Sequence, residues 1–202
     1  RSLGQRAARG ARGTTALIYL YVVAIIALPL WLWVSRHLNK RWAYIIGISF
    51  LAVVLMVLAS LNPQTGMPLI MTLCVLAGIG VSAMHVMPWA IIPDAIEYGE
   101  LQTGKRNEGM FYSLITLAQK IASSIAVPLA LLVLQFSGYM TDGSAQPESA
   151  ILGIRIIAGP IPAIALGLAI LFTALFPLGR DDYKEINRQL EERRLANLEP
   201  AD

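Results

Sequence analysis

Charge is what this sequence has least of. Asp, Glu, Lys and Arg make up 14% of its 202 residues, against about 25% in an ordinary soluble domain. Between Arg41 and Asp94 none of the four occurs, a stretch longer than a buried helix of a soluble core requires. Cys74 is the only cysteine, which excludes a disulfide framework and a thiolate metal site. His37 and His85, the only histidines, stand in unrelated settings, and no HExxH, GxSxG or Walker-type run occurs. No cofactor, metal or catalytic constellation is expected, and the chain does not read as an enzyme. The net charge of +3 lies in basic residues at the edges of apolar segments, so it points to no nucleic-acid partner.

What is present is apolar surface, 56% of the residues. About 20 apolar residues cross a bilayer, and five segments qualify: 14–34, 42–61, 67–93, 110–136 and 151–178. The expectation is an all-α, multi-pass membrane bundle embedded in lipid. Trp31 and Trp33 are placed at interface depth near Pro29, and Gly159, Pro160 and Pro162 should kink the fifth span. Residues 1–13 carry Arg1, Arg6, Arg9 and Arg12 with no acid, and read as a truncation boundary. Residues 179–202 turn polar. There Asp181 or Asp182 can cap an amphipathic helix with Tyr183, Ile186 and Leu190 in one stripe and Glu191 with Arg194 at i,i+3.

Lys and Arg concentrate in segments 35–41 and 94–109 and in the tail, whereas segments 62–66 and 138–150 have none. The positive-inside rule puts the former group and the C-terminus in the cytoplasm. Five spans then leave residue 1 outside, against its four arginines, which implies an upstream helix.

An ionisable group within a span suggests function. Lys120 follows Gly109 by 11 residues, about 16 Å along a helix and hence near mid-bilayer. Ser113, Thr116, Lys120, Ser123 and Ser124 form one polar stripe at helical spacing, which suits a protein interior or a wet cavity. The alternative is a structural lysine paired with a buried acid, but no span of this chain holds one. His85 and Trp89 are i,i+4 on the third span, with Gly78 and Ser82 assigned to the same face; His85 reads equally as a hydrogen-bonded core histidine. Residues 78–83 spell GxGxxA, but without a strand before them this is small-residue helix packing. Arg155 reads as a snorkelling or packing residue.

The densest charge lies in residues 94–109, D-x-x-E-Y-x-E-x-x-T-G-x-R-x-E-G. Asp94 and Glu97 are i,i+3, and Lys105 and Arg106 follow across a Thr-Gly turn, in reach of those acids. A solvated loop accounts for the composition as well as a gate does. The full pattern, however, resembles the cytoplasmic loop before the eleventh helix of the glycoside–pentoside–hexuronide:cation symporters, the melibiose-permease-like branch of the major facilitator superfamily. Tyr112, Ser113 and Lys120, then Gly153–Arg155, Phe176–Leu178 and the tail, extend the likeness, so that the chain corresponds to helices eight to twelve of a twelve-helix transporter.

The resemblance implies the C-terminal helical bundle of that fold, incomplete, with an N-terminal half as partner. It also implies symport of a small solute, by the family's majority a sugar, coupled to Na+ or H+ in a cell (inner) membrane. In melibiose-permease-like members the lysine matching Lys120 lies near acids of the N-terminal half that hold sugar and cation. Thr116 falls near the sugar, Ile115 replaces an adjoining glutamine, and His85 replaces a cavity-facing tryptophan. Lys120, Thr116, His85, Trp89 and Tyr112 are the expected cavity residues, and Asp94, Glu97, Arg106 and Glu108 the expected cytoplasmic gate. Lysophospholipid carriers also belong to the relatives, and a truncated scaffold that transports nothing is the alternative from another class.

Overall fold

The computed structural model describes residues 2–62, 65–141, 146–175, 185–186, 188–192 and 195, with side chains from residue 14 onward. The described elements are helices: α1 (Ser2–His37), α2 (Lys40–Ser60), α3 (Met67–Thr103), α4 (Glu108–Phe136), α5 (Glu148–Ala158) and α6 (Pro160–Leu175). Five stretches are long and apolar enough to cross a membrane, the fifth being α5 and α6 together. The five expected spans are therefore present.

Several boundaries differ from expectation. α1 starts at Ser2 rather than residue 14, so the basic flank is helical. α3 runs on through Pro88 and Pro93 to Thr103, and the first ten residues of the expected loop are helix. Each proline removes one backbone hydrogen bond, and packing against α1 and α2 holds the helix across both gaps. Gly104 ends it at φ 70°, its N–H bonded to the Glu100 carbonyl at 2.8 Å, the left-handed cap that glycine adopts without strain. At 37 residues α3 is about 55 Å long, well beyond the ~30 Å hydrocarbon core. Its last turns therefore project from the membrane. The kink at Gly159 is a full break between α5 and α6.

α3 is the shared partner of α1 and α2, and α2 in turn packs on α6. Ile48, Leu51, Val54, Leu73, Ala77 and Leu166 make one buried cluster; Trp31, Ala43, Ala83 and Met87 make a second. Trp31 thus departs from the expected interface position. Its ring is turned into the bundle, where the indole N–H donates to the Ile79 carbonyl at 2.8 Å. Gly78 and Gly80 lie where any Cβ would meet Leu20 and Leu51, as small-residue packing requires. Arg155 packs rather than snorkels, donating to the Leu61 carbonyl at 2.7 Å. In the tail Ile186 and Leu190 are buried, and Arg188 bridges Glu185 and Glu192. Asp181, Asp182, Tyr183, Arg194 and residues 176–178 lie outside the described residues.

Candidate functional site

α4 differs from the other membrane-crossing helices in having no buried residue. It touches α3 near its start, where Phe111 meets Gly99, and α5 near its end, where Ser137 lies against Gly153. At 100° per residue its polar side chains fall on one side: Tyr112, Ser113, Thr116, Gln119, Lys120, Ser123 and Ser124. Leu114, Leu117, Ile121 and Ile125 occupy the other. Gln119 was missed in the stripe read from serines and threonines, although its angle places it beside Tyr112 and Ser123.

The hydroxyls of Ser113 and Thr116 donate back to the Met110 and Tyr112 carbonyls at 2.9 and 2.8 Å. Lys120 has no such outlet: the nearest acid on its helix is Glu108, at the first residue, and among the described residues it forms no ion pair.

The structure brings α3 to this arc. Trp89 stacks on Tyr112 with ring centroids 6.2 Å apart and planes at 19°. Because α3 and α4 run antiparallel, His85 and Thr116 each lie one turn further into the membrane. His85 is exposed, and its Nδ1 donates to the Val81 carbonyl at 3.0 Å. Gly78 and Ser82, assigned to the same face, are buried instead, with Ser82 bonded to the Ile79 carbonyl at 2.7 Å. Leu20 and Val23 of α1 lie against Gly78.

The charged end is wired differently from expectation. Asp94 pairs with Lys40 across the α2–α3 contact, Nζ lying 2.7 and 2.9 Å from the two carboxylate oxygens. Arg106 bonds Glu108 at 2.6 Å and Glu100 at 3.2 Å, not Asp94 or Glu97. The Glu108 bond, more than that of Glu100, holds its guanidinium above the ordinary arginine pKa. The reason is geometric: Asp94 and Glu97 lie two to three helical turns before Gly104, whereas Glu100 and Glu108 flank the turn. Glu97 keeps one buried carboxylate oxygen without a hydrogen-bond partner among the described residues. Lys40 and Glu100 escaped the sequence reading because each gains its role only from a residue brought close by folding. Arg41 donates to the Ala174 carbonyl, so α1–α2, α3–α4 and the end of α6 share this end of the bundle. Among the described residues no group of His, Cys, Asp and Glu is placed to hold a metal.

The model of the MFS/sugar transport protein family, where MFS denotes the major facilitator superfamily, matches residues 7–180. Over 190 residues the chain is 33% identical to an uncharacterised symporter of Synechocystis sp., covering 92% of this chain and 35% of that protein. It is 30% identical over 179 residues to the sodium-dependent lysophosphatidylcholine symporter 1-A of Danio rerio, covering 87% and 33%. A sphingosine-1-phosphate transporter of Xenopus tropicalis is 25% identical over 177 residues, covering 87% and 34%. The chain thus spans about a third of the length of these relatives. Matched over most of its length and built of membrane-crossing helices, the chain belongs to the MFS/sugar transport protein family.

Proposed function

We propose that this chain supplies part of the solute pathway of a cation-coupled symporter working by alternating access, with Na+ or H+ as the coupling ion. The observation that carries the reading is Lys120, a cation at the middle of α4 on a polar arc with no acid beside it. An uncompensated charge at that depth costs about 2.5–3.5 kcal/mol on insertion scales, so an anion must meet it in the working protein. Carboxylates of a second helical bundle facing α4 fill that role when a cation site lies among them, and Lys120 then competes with the cation. In this reading Tyr112, Thr116, His85 and Trp89 contact the solute, with Gln119 beside them. Asp94, Glu97, Arg106 and Glu108 lie at the mouth. The basic end, with the end of α6, faces the cytoplasm of a cell by the positive-inside rule.

The solute we favour is a lysophospholipid, whose phosphate suits Lys120 and which is named for a relative 30% identical to this chain. A sugar is the second reading, favoured by the Trp89–Tyr112 stack, an apolar platform of the kind sugar rings cover. The test is uptake by the complete transporter in proteoliposomes, with lysophosphatidylcholine and with a galactoside, under imposed Na+ and H+ gradients. Lys120→Met should insert normally and lose cation-driven accumulation. Wild-type accumulation and cation dependence in Lys120→Met would refute the role given to the lysine.

A further inference from the structure

Along the side of α4 that bears Lys120, the residues change character partway. Ser113, Thr116, Lys120, Ser123 and Ser124 are followed on that side by Val127, Leu131 and Leu134, before Gln135 in the last turn. Val127 and Leu131 are each 61% exposed. At 100° per residue, all of these lie within about 60° of Lys120 around the helix. One continuous surface therefore runs from polar to apolar, and Ser123 and Ser124 stand at the change.

The hydroxyls of the arc fall into two groups. Those of Ser113 and Thr116 are turned back onto the carbonyls of Met110 and Tyr112. Those of Ser123 and Ser124 are exposed and make no hydrogen bond among the described residues. Pro128 follows one turn later, inside the helix. Its nitrogen bears no hydrogen, so the Ser124 carbonyl lacks the donor that the fourth residue along supplies in a regular helix. Two hydroxyls and one acceptor-only oxygen thus fall in a single turn, about 4.5–6 Å beyond Lys120 along the axis.

A carbonyl oxygen is satisfied only by a donor. An ester or a phosphodiester offers none, whereas a free hydroxyl donates to the carbonyl and accepts from a serine in return. We infer that Ser123, Ser124 and the Ser124 carbonyl form a subsite for the free glycerol hydroxyl of a lysophospholipid. Its phosphate is then at Lys120, and its acyl chain follows Val127, Leu131 and Leu134. The inference rests on the lysophospholipid reading of the solute and supplies a reason for preferring one chain to two. In a two-chain lipid that hydroxyl is esterified, and the Ser124 carbonyl meets a group with no hydrogen to give, which leaves it unsatisfied. A sugar also brings hydroxyls, but has no apolar part to cover the Val127–Leu134 side.

The test is uptake by the complete transporter in proteoliposomes. The probes are lysophosphatidylcholine, the analogue lacking the free glycerol hydroxyl, and the methyl ether of that hydroxyl, all of the same charge and acyl chain. KM for the parent should be about two- to ten-fold below KM for either analogue, which is what one neutral hydrogen bond supplies. Pro128→Ala gives the Ser124 carbonyl its donor, and Ser123→Ala and Ser124→Ala remove the hydroxyls. Each change should narrow the preference, and the three together should abolish it. A misfolded variant loses uptake of all three probes alike, so the ratio of KM values reports the subsite and not the fold. A methyl ether handled as well as the parent, or a ratio that survives the triple variant, would overturn the subsite and leave the lysophospholipid reading standing. Uptake of a galactoside and of none of the three lipids would overturn that reading, and the subsite with it.

Discussion

Gly80 tests whether the bundle is held by close backbone packing between α2 and α3. A methyl group added there falls 2.7 Å from the Leu51 Cβ, 3.0 Å from its Cα and 3.2 Å from its Cδ1. Carbon atoms rest at about 3.5–4.0 Å, so Gly80→Ala forces the two helices apart by roughly 1 Å. The Leu51 Cα cannot rotate away as a side-chain tip does, and Leu51 belongs to the buried cluster that also holds Ile48 and Val54. Overpacking of this kind costs about 1–3 kcal/mol. At about 2–4 °C per kcal/mol for a chain of this size, the midpoint of thermal unfolding in detergent should fall by roughly 2–12 °C. Gly167 in α6 is the control, because a methyl there meets nothing within 4 Å. Gly167→Ala removes a helix-interior glycine and should stabilise by about 0.5–1 kcal/mol. The assay is thermal unfolding followed by the reaction of Cys74, the only cysteine, with a fluorogenic maleimide. A Gly80→Ala protein as stable as wild type, or as stable as Gly167→Ala, would show that α2 and α3 do not meet as described.

Trp31→Phe deletes the indole hydrogen bond to Ile79 while keeping an aromatic ring, and should destabilise by about 0.5–1.5 kcal/mol in the same assay; no change would mean the bond is not formed. Lys40→Met and Asp94→Asn should be non-additive in a double-mutant cycle, with a coupling of at least about 0.5 kcal/mol for residues in direct contact, whereas Arg106→Met with Asp94→Asn should show none. With Cys74 replaced by Ser, single cysteines at Gln102 and Tyr139 should be labelled from opposite sides of the membrane; labelling from one side would contradict the helix order. Arg106→Ala in the complete transporter should change transport a few-fold and not abolish it, since exposed ion pairs contribute about 0.2–1 kcal/mol each; loss of all transport would assign Arg106 a direct role.

The number of spans and the course of the polar stripe could be read from composition and spacing, because a membrane helix declares itself by one local property, an unbroken apolar run. Local signals misled where tertiary packing decided the outcome. The span read as ending at residue 93 runs on to Thr103, because neighbours on both sides of α3 carry the helix past Pro88 and Pro93. Trp31 and Trp33 are two residues apart and looked alike, but a residue step of 100° turns one into the bundle and the other outward. The partners of Asp94 and Arg106 depended on distances no spacing rule supplies: Lys40 is 54 positions away in the chain. Lys120 was legible because charge is rare in an apolar helix, and Gln119 was not, because an uncharged amide does not stand out.

Among the described residues, α4 is fastened to its neighbours near its two tips alone. Phe111 against Gly99 is one fastening and Ser137 against Gly153 the other, while Lys120 lies about 14 Å from the first and 26 Å from the second along the helix. Side chains added at either glycine do not touch the lysine. They tilt the helix, and the tilt swings the polar arc relative to His85 and Trp89. The position of the Lys120 charge is therefore governed, among the described residues, by contacts at the two ends of α4 between residues that carry no charge.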